Sequence, residues 1–492
     1  PTRRSSDLVL LYLFGQSIIA VDMFLNLVTT NSSEALELLD NLIPAIVIVV
    51  VLYIPALILA TISIVHKRRL SEAFIRQARR RTLYVLSAGI LSLGSAYLTD
   101  DRYELKSELY PANVCYNIAL AFQRTAQTRN YHKTSKDFTF HARSTHQADE
   151  REVYVMVVGE TSRACNWALY GYERETNPGL SGIGGLTAFS HVLTESNTTH
   201  KSVPMLLSPV SASSFDSIYY QKGIITAFKE AGYQTAFFSN QRYNHSFIDF
   251  FGKEADTYDF IKEDVGDSNY NPSDDKLLKL VAKELGKGVS RQFIVLHTYG
   301  SHFNYKERYP AEQAFFLPDM PVDAEVKYKD NLINAYDNSI RYTDNFLVRL
   351  IDMLQKQHVN SALIYTSDHG EDIFDDNRHL FLHASPVPSY YQIHVPFFIW
   401  MSDNYRQRYP SLLEAAQANR QKNVSSSASF FQTMLEIGGV ETPYRNDSLS
   451  VTSALFIERP RVYLNDHNEA RTLDDVGMLK EDFKMLEEKG IR

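Results

Sequence analysis

Three short stretches end in side chains that do chemistry when they converge. "IYTSDHGEDI" (364–373) closes an apolar run with Asp368 and His369, "VVGETSR" (157–163) closes another with Glu160, and "LHTYGSH" (296–302) carries His297 and His302. His383 follows in "FLHASP". Carboxylate and imidazole at the end of a buried strand are costly unless something binds them. Taken singly, each has an ordinary role: Glu160 as a helix N-cap, any one histidine as a hydrogen-bonded surface residue. Collected at several strand ends, they form the donor set that a zinc-type ion prefers. In "TESNTTHKSVPMLL" (194–207), Thr198 and Thr199 precede a helix-like apolar run. A hydroxyl at a helix N-terminus lies in positive potential beside free N–H groups, which suits both an attacking oxygen and a bound phosphate. Threonine is also a common plain N-cap. A nearby cation offsets the charge that develops on such an oxygen and makes it a competent nucleophile at neutral pH.

These residues need rigid elements to hold them. From Glu152 onward, apolar β-branched runs alternate with amphipathic ones. Strands are predicted at 153–159, 234–239, 292–298, 362–367 and 395–400, and helices at 224–232, 274–286, 326–355 and 427–439. That alternation predicts an α/β domain over 151–492, a doubly wound, mainly parallel sheet with helices on both faces. Such sheets place their sites at the carboxyl ends of strands. Asn240, Gln241 and His245 follow the second strand, where they would shape a head-group pocket.

The front of the chain has a different character. Residues 42–65 are 24 positions without a charge, enough to cross a bilayer, and 8–27 and 83–98 are two further candidate spans. Lys67, Arg68, Arg69, Arg76, Arg79, Arg80 and Arg81 lie between the second and third. By the positive-inside rule they are cytoplasmic, which puts residues 28–41 and everything after about residue 99 across the membrane. Residues 1–99 thus read as a membrane region, 100–127 as an interfacial helix, and 128–150 as a polar, aperiodic linker. The chain opens on Pro1 rather than Met, so earlier spans are expected, and the membrane helices rather than a cleaved signal would direct export. A net charge of −8 over 492 residues argues against a general nucleic-acid binder. Cys115 and Cys165 could pair in an oxidising compartment, but two cysteines do not make a disulfide framework.

"VVGETSRACNWALYGYERETNPGL" (157–180), "TTHKSVP" (198–204), "LHTYGSH" (296–302) and "SDHGED" (367–372) resemble, in order and rough spacing, the membrane-bound phosphoethanolamine transferases of the alkaline phosphatase and sulfatase superfamily. That group includes the lipid A phosphoethanolamine transferases and the mobile colistin-resistance enzymes. The resemblance implies a bacterial inner-membrane protein with its catalytic domain in the periplasm, and two further membrane helices upstream of residue 1. It implies Thr199 as nucleophile and Glu160, Thr199, Asp368 and His369 as ligands of a principal zinc. It also implies His302 and His383 as contacts of the phosphoryl group or of a second zinc, with His297 nearby at a family histidine position. In "NLVTTNSSE" (26–34), Asn26, Thr30 and Glu34 share one helix face. In the family that face recognises the ethanolamine end of the donor, and Glu34 would pair with its ammonium; the ordinary alternative is a solvated face.

The implied reaction moves phosphoethanolamine from phosphatidylethanolamine, through an intermediate on Thr199, to lipid A or another lipopolysaccharide or glucan acceptor. A monomer acting on membrane lipids, with no nucleic acid, is expected. On lipid A, the added amine would offset anionic charge and weaken polymyxin binding. Ser196 and Asn197 stand where enzymes acting on lipid A carry a cysteine, which leaves the acceptor open. One alternative is a phosphoglycerol transferase or a phosphatase- or sulfatase-type hydrolase of the same superfamily, although the x-Pro-x-Arg run a sulfatase needs is missing around Thr199. The other is a catalytically inactive membrane sensor or scaffold.

Overall fold

The computed structural model describes residues 21, 43–66, 71–99, 103–109, 112–147, 150–263 and 271–491. Asn26, Thr30 and Glu34, and all of the first predicted span except Val21, lie outside the described residues. The second predicted span is helix α1, Ile43–Val65, 23 residues with Pro55 inside. The third is α2, Glu72–Thr99, long and apolar enough to cross a membrane. Leu52, Leu59 and Leu98 are more than 60% exposed, as side chains that face lipid would be. α2 starts earlier than expected: Arg76, Arg79, Arg80 and Arg81 lie within it rather than in a loop. Arginine, alanine and glutamine are good helix formers, so the helix continues past its apolar stretch.

The predicted interfacial helix is a single turn, Leu105–Glu108, followed by α3, Ala112–Arg129. The stretch read as a linker is not one. Tyr131 and Phe140 are buried, Arg143–Ser144 pairs antiparallel with Val440–Glu441, and the Thr442 hydroxyl donates to the Phe140 carbonyl at 2.6 Å. Its few apolar residues are aperiodic in sequence because they anchor an irregular chain rather than one face of an element.

The sheet strands are β1 Glu152–Gly159, β2 Leu186–Phe189, β3 Gln234–Ser239, β4 Thr257–Phe260, β5 Arg291–His297, β6 Asn360–Ser367 and β7 Phe397–Met401. Their spatial order is β2-β7-β6-β1-β5-β3-β4. β6, β1, β5, β3 and β4 run parallel, while β7 is antiparallel to both of its neighbours. All five predicted strands are present; the two sheet edges, β2 and β4, are additional. The helices that cover the sheet are α4 Thr199–Leu206, α5 Ile224–Glu230, α6 Asp275–Leu285, α7 Lys329–Gln355 and α8 Ser426–Ile437.

β1 is buried along its whole length. Its period-two alternation sends Val153, Val155 and Val157 into the core under α6 and α7, and Tyr154, Met156 and Val158 into the core under α4, α5 and α8. Past the sheet, β8 Val462–Leu464 and β9 Ala470–Thr472 form an antiparallel hairpin, and α9 spans Lys480–Glu488. Cys115 and Cys165 are both free thiols.

Candidate metal centre and nucleophile

Four neighbouring parallel strands, β6, β1, β5 and β3, end on the same side of the sheet, so the loops that follow them meet. Gly159 pairs in register with Ser367, which makes the next residues, Glu160 and Asp368, neighbours. Ligand atoms of Glu160, Asp368 and His369 lie within 4.8 Å of one another, and all three residues are buried. His369 Nε2 is 3.2 Å from Asp368 Oδ2 and 3.6 Å from Glu160 Oε1. The other ring nitrogen, Nδ1, bonds to the Gly370 carbonyl at 2.9 Å, which leaves the Nε2 lone pair aimed into the cluster.

The fourth member arrives on α4. Thr198, extended at φ −132°, occupies the N-cap position, and Thr199 is the first helical residue. The Thr199 hydroxyl donates to Glu160 Oε1 at 3.1 Å and lies 3.1 Å from His369 Nε2. The capping position therefore belongs to Thr198, and the Thr199 oxygen belongs to the carboxylate–imidazole cluster.

The electrostatics fit a divalent cation. Burial pushes the Glu160 carboxyl up to about 7, and burial plus the charge of Glu160 pushes Asp368 well above the usual range. Burial also drives His369 well below its ordinary value, with His383 adding to the shift. Two adjacent buried carboxylates cannot both ionise without a countercharge; a cation among them reverses both carboxyl shifts and, like burial, keeps the His369 imidazole neutral. Asp368 Oδ2 is buried without a hydrogen-bond partner. Glu160, Asp368 and His369, with the Thr199 hydroxyl beside them, are donors of the kind that could hold a zinc-type ion.

Three more predicted histidines come to the same place. His383 lies against His369 with ring centroids 4.1 Å apart, and His302 is 6.0 Å from His383. His297, the last residue of β5, is fully buried with Nε2 3.8 Å from Glu160 Oε2 and no hydrogen-bond partner on that nitrogen. Burial lowers the pKa of His297 to about 4, and lowers those of His302 and His383 as well.

Of the three residues expected at a head-group pocket, only Gln241 reaches the centre, at 3.4 Å from Glu160 Oε2. Asn240 is buried, its amide bound to the Pro272 carbonyl and to Asp274. His245 is exposed, its ring against Tyr243.

Some supporting contacts were not legible in the sequence. Glu371, fully buried, faces His383 Nδ1 at 3.4 Å. Tyr336 of α7 donates to the Thr161 carbonyl and accepts from the Arg163 N–H, clamping the turn after Glu160. That turn needs a clamp. Thr161 sits at φ +57°, an uncommon conformation for a β-branched residue, and is tied down by bonds to Asp368 Oδ1 and Glu160 Oε1. The "GETSR" motif was the visible half of the clamp; nothing local marked the tyrosine far downstream.

Among known proteins, residues 152–440 match the sulfatase family, and residues 16–126 match the family described as phosphoethanolamine transferase EptA/EptB. The chain is 30% identical over 319 residues to phosphoethanolamine transferase EptA of Salmonella typhimurium, covering 61% of this chain and 55% of that protein. It is 30% identical over 299 residues to the Kdo(2)-lipid A phosphoethanolamine 7''-transferase of Escherichia coli K12, covering 59% of this chain and 51% of that one. The match thus spans about half the length of these curated relatives. Among solved structures, the integral membrane lipooligosaccharide phosphoethanolamine transferase A of Neisseria meningitidis superposes with a TM-score of 0.73 at 23% identity, covering 91% of this chain and 84% of that one. The periplasmic domain of Escherichia coli EptC, in a complex with zinc, superposes with a TM-score of 0.62 at 24% identity, covering 68% of this chain and 96% of that one. Both share the fold described above. The chain belongs to the sulfatase family, with a region matching the phosphoethanolamine transferase EptA/EptB family ahead of its sulfatase-like domain.

Proposed function

We propose that this chain transfers phosphoethanolamine from phosphatidylethanolamine to a lipopolysaccharide-type acceptor, lipid A foremost, with Thr199 carrying the group between them. The observation behind this is the Thr199 hydroxyl at the head of α4, 3.1 Å from both Glu160 Oε1 and His369 Nε2. The names of the relatives support the transferred group, and one of them names lipid A as acceptor. The reaction would run on the outer side of a bacterial inner membrane, with the sulfatase-like domain in the periplasm.

Zinc bound by Glu160, Thr199, Asp368 and His369 would supply charge stabilisation for oxygens attached to phosphorus. The chain's own residues do the rest. Thr199 presents its oxygen to phosphorus while its proton is directed at Glu160. The Thr199 O–P bond forms as the bond from phosphorus to the diacylglycerol oxygen breaks, and that oxygen takes up a proton as it leaves. An acceptor oxygen then attacks the phosphothreonine, and Thr199 recovers its proton. His302 and His383, neutral in their buried setting, hold phosphoryl oxygens or pass protons to departing ones. The face of Asn26, Thr30 and Glu34 would receive the ethanolamine end of the donor.

Intact-protein mass spectrometry after incubation with donor lipid tests the scheme. Wild type is expected to carry one phosphoethanolamine on Thr199. Thr199→Ala is expected to lose that adduct and at least about a thousandfold in transfer, as when other covalent nucleophiles are removed. Unchanged transfer by Thr199→Ala would end the proposal. Mass spectrometry of lipid A and core oligosaccharide from cells with and without the gene identifies the acceptor.

A further inference from the structure

The two family matches end at residue 126 and at residue 440, and neither covers the β8–β9 hairpin. Yet its turn, residues 465–469, lies between the membrane-proximal helices and the helix that carries Thr199. On one side, Asp466 accepts from the backbone N–H of Val21 at 2.5 Å through its side chain and from Arg124 Nη1 at 2.9 Å through its carbonyl. Arg124, on α3, is 5% exposed. His467 Nε2 meets Asn117 Oδ1 at 2.9 Å, with its ring edge-on to Tyr116 at 5.3 Å. Lys106 pairs with Glu469 at 3.0 Å, and Arg471 reaches Glu104 at 3.4 Å. On the other side, the Asn465 carbonyl accepts from Lys201 Nζ at 3.1 Å. Lys201 is two residues beyond Thr199 and 2% exposed. The Leu464 N–H donates to the Glu195 carbonyl at 2.7 Å, in the segment that leads into α4. The turn is closed on itself, because Glu469 N–H donates to Asn465 Oδ1 at 2.8 Å and Asn465 N–H to the Glu469 carbonyl at 3.0 Å.

We propose that this hairpin is a coupling strut that fixes the helix of Thr199 relative to the membrane-proximal helices, with Arg124 and His467 as positioning residues. The proposal rests on the lipid-transfer reading for its purpose but not for its geometry. Exposed ion pairs such as Lys106–Glu469 contribute little. The buried bonds of Arg124 and Lys201 carry the connection, since a buried donor or acceptor that loses its partner bears the full desolvation cost. Held this way, the Thr199 oxygen stays at one height above the bilayer from which a lipid phosphodiester must be taken. Released, the centre keeps its own geometry but loses its position over the membrane.

The test uses the full chain in phosphatidylethanolamine-containing nanodiscs, with Arg124→Ala and, as a milder second variant, His467→Phe. Hydrogen exchange is followed at residues 464–471, at 199–206, and at β1 as an internal reference. Both variants are expected to speed exchange about tenfold at the hairpin and several-fold at 199–206, leaving β1 unchanged, as local opening rather than global unfolding requires. Turnover of bilayer phosphatidylethanolamine is expected to fall about tenfold in Arg124→Ala, the factor that loss of one buried charged hydrogen bond gives, and about threefold in His467→Phe, while a water-soluble p-nitrophenyl ester of phosphoethanolamine is cleaved by both within about twofold of wild type. Wild-type exchange at 199–206, or an equal fall on both substrates, overturns the strut. A wild-type protein that turns over neither ester overturns the lipid-transfer reading instead, and the exchange result still decides the strut.

Discussion

Glu160 and Asp368 show what a cation would change at the centre. Without one, burial favours the protonated carboxyl in the fold, and Glu160 is raised to about 7. A carboxyl raised in the folded state contributes stability that is complete below its unfolded value, about 4.5, and is lost as pH rises through about 7. The chelated protein should therefore lose stability across that window. The zinc-loaded protein should not, because the cation favours the ionised carboxylates and its binding releases protons. The gap in unfolding temperature between zinc-loaded and chelated protein is expected to widen from pH 5 to pH 8, reaching the equivalent of about 4 kcal/mol at a thousandfold excess of free zinc over Kd. Differential scanning calorimetry with and without chelator measures it, and a gap that narrows with pH contradicts the site. At this scale the sequence was informative, because Glu160, His297, His302, Asp368 and His369 all follow or end strands that apolar runs make visible. Gln241 and Glu371 stand in stretches the sequence marks, but the partners that give them their roles were harder to find. Each is polar among other polar residues, and its importance comes from which residue it faces: Glu160 for one, His383 for the other.

The elements that hold these residues were legible in proportion to their burial. β1, β5 and β6 sit centrally with apolar, β-branched sequences, and the pattern located them to within about two residues. β2 and β4 are four residues each at the sheet edges; β2 alternates half-buried with buried positions, β4 buries only Phe260, and patterns that brief do not stand out. The loop after β5 poses a stricter demand. Gly300 has φ +50°, and a Cβ there would lie 2.6 Å from the Glu160 carbonyl, while the next residue, Ser301, donates its N–H to that same oxygen at 3.0 Å. The loop with His302 thus packs backbone to backbone on Glu160, an approach that only glycine permits. Gly300→Ala is expected to cost about 2 kcal/mol from the left-handed conformation and the displaced contact together, and to weaken zinc binding about tenfold by moving Glu160. Gly182→Ala is the matched control, since a Cβ there meets open space. Zinc titration of both variants separates the cases, and equal affinities would show that the loop yields without moving the ligand.

At the scale of the whole molecule, the point at issue is where the sulfatase-like domain begins. Composition puts the boundary near residue 150, and packing puts it near 130. Residues 131–147 contribute Tyr131 and Phe140 to the core, and the Tyr131 hydroxyl donates to the Gln221 carbonyl at 2.9 Å. Arg143 and Ser144 add a strand pair, and His146 Nδ1 lies 2.7 Å from the fully buried Glu152, to which Arg291, Tyr154 and Tyr233 also bind. Removing the segment exposes two aromatic sites worth about 2 kcal/mol each and takes one partner from a buried carboxylate. The total is a large share of the 5–15 kcal/mol that holds an ordinary domain together. A fragment of residues 130–492 is expected to unfold cooperatively, and one of residues 151–492 to melt about 10 °C lower or to aggregate. Far-ultraviolet circular dichroism during heating measures both. Equal melting temperatures would mean that the segment only decorates the domain; the expected difference would make it the domain's first structural element, joining α3 directly to the body that holds Thr199.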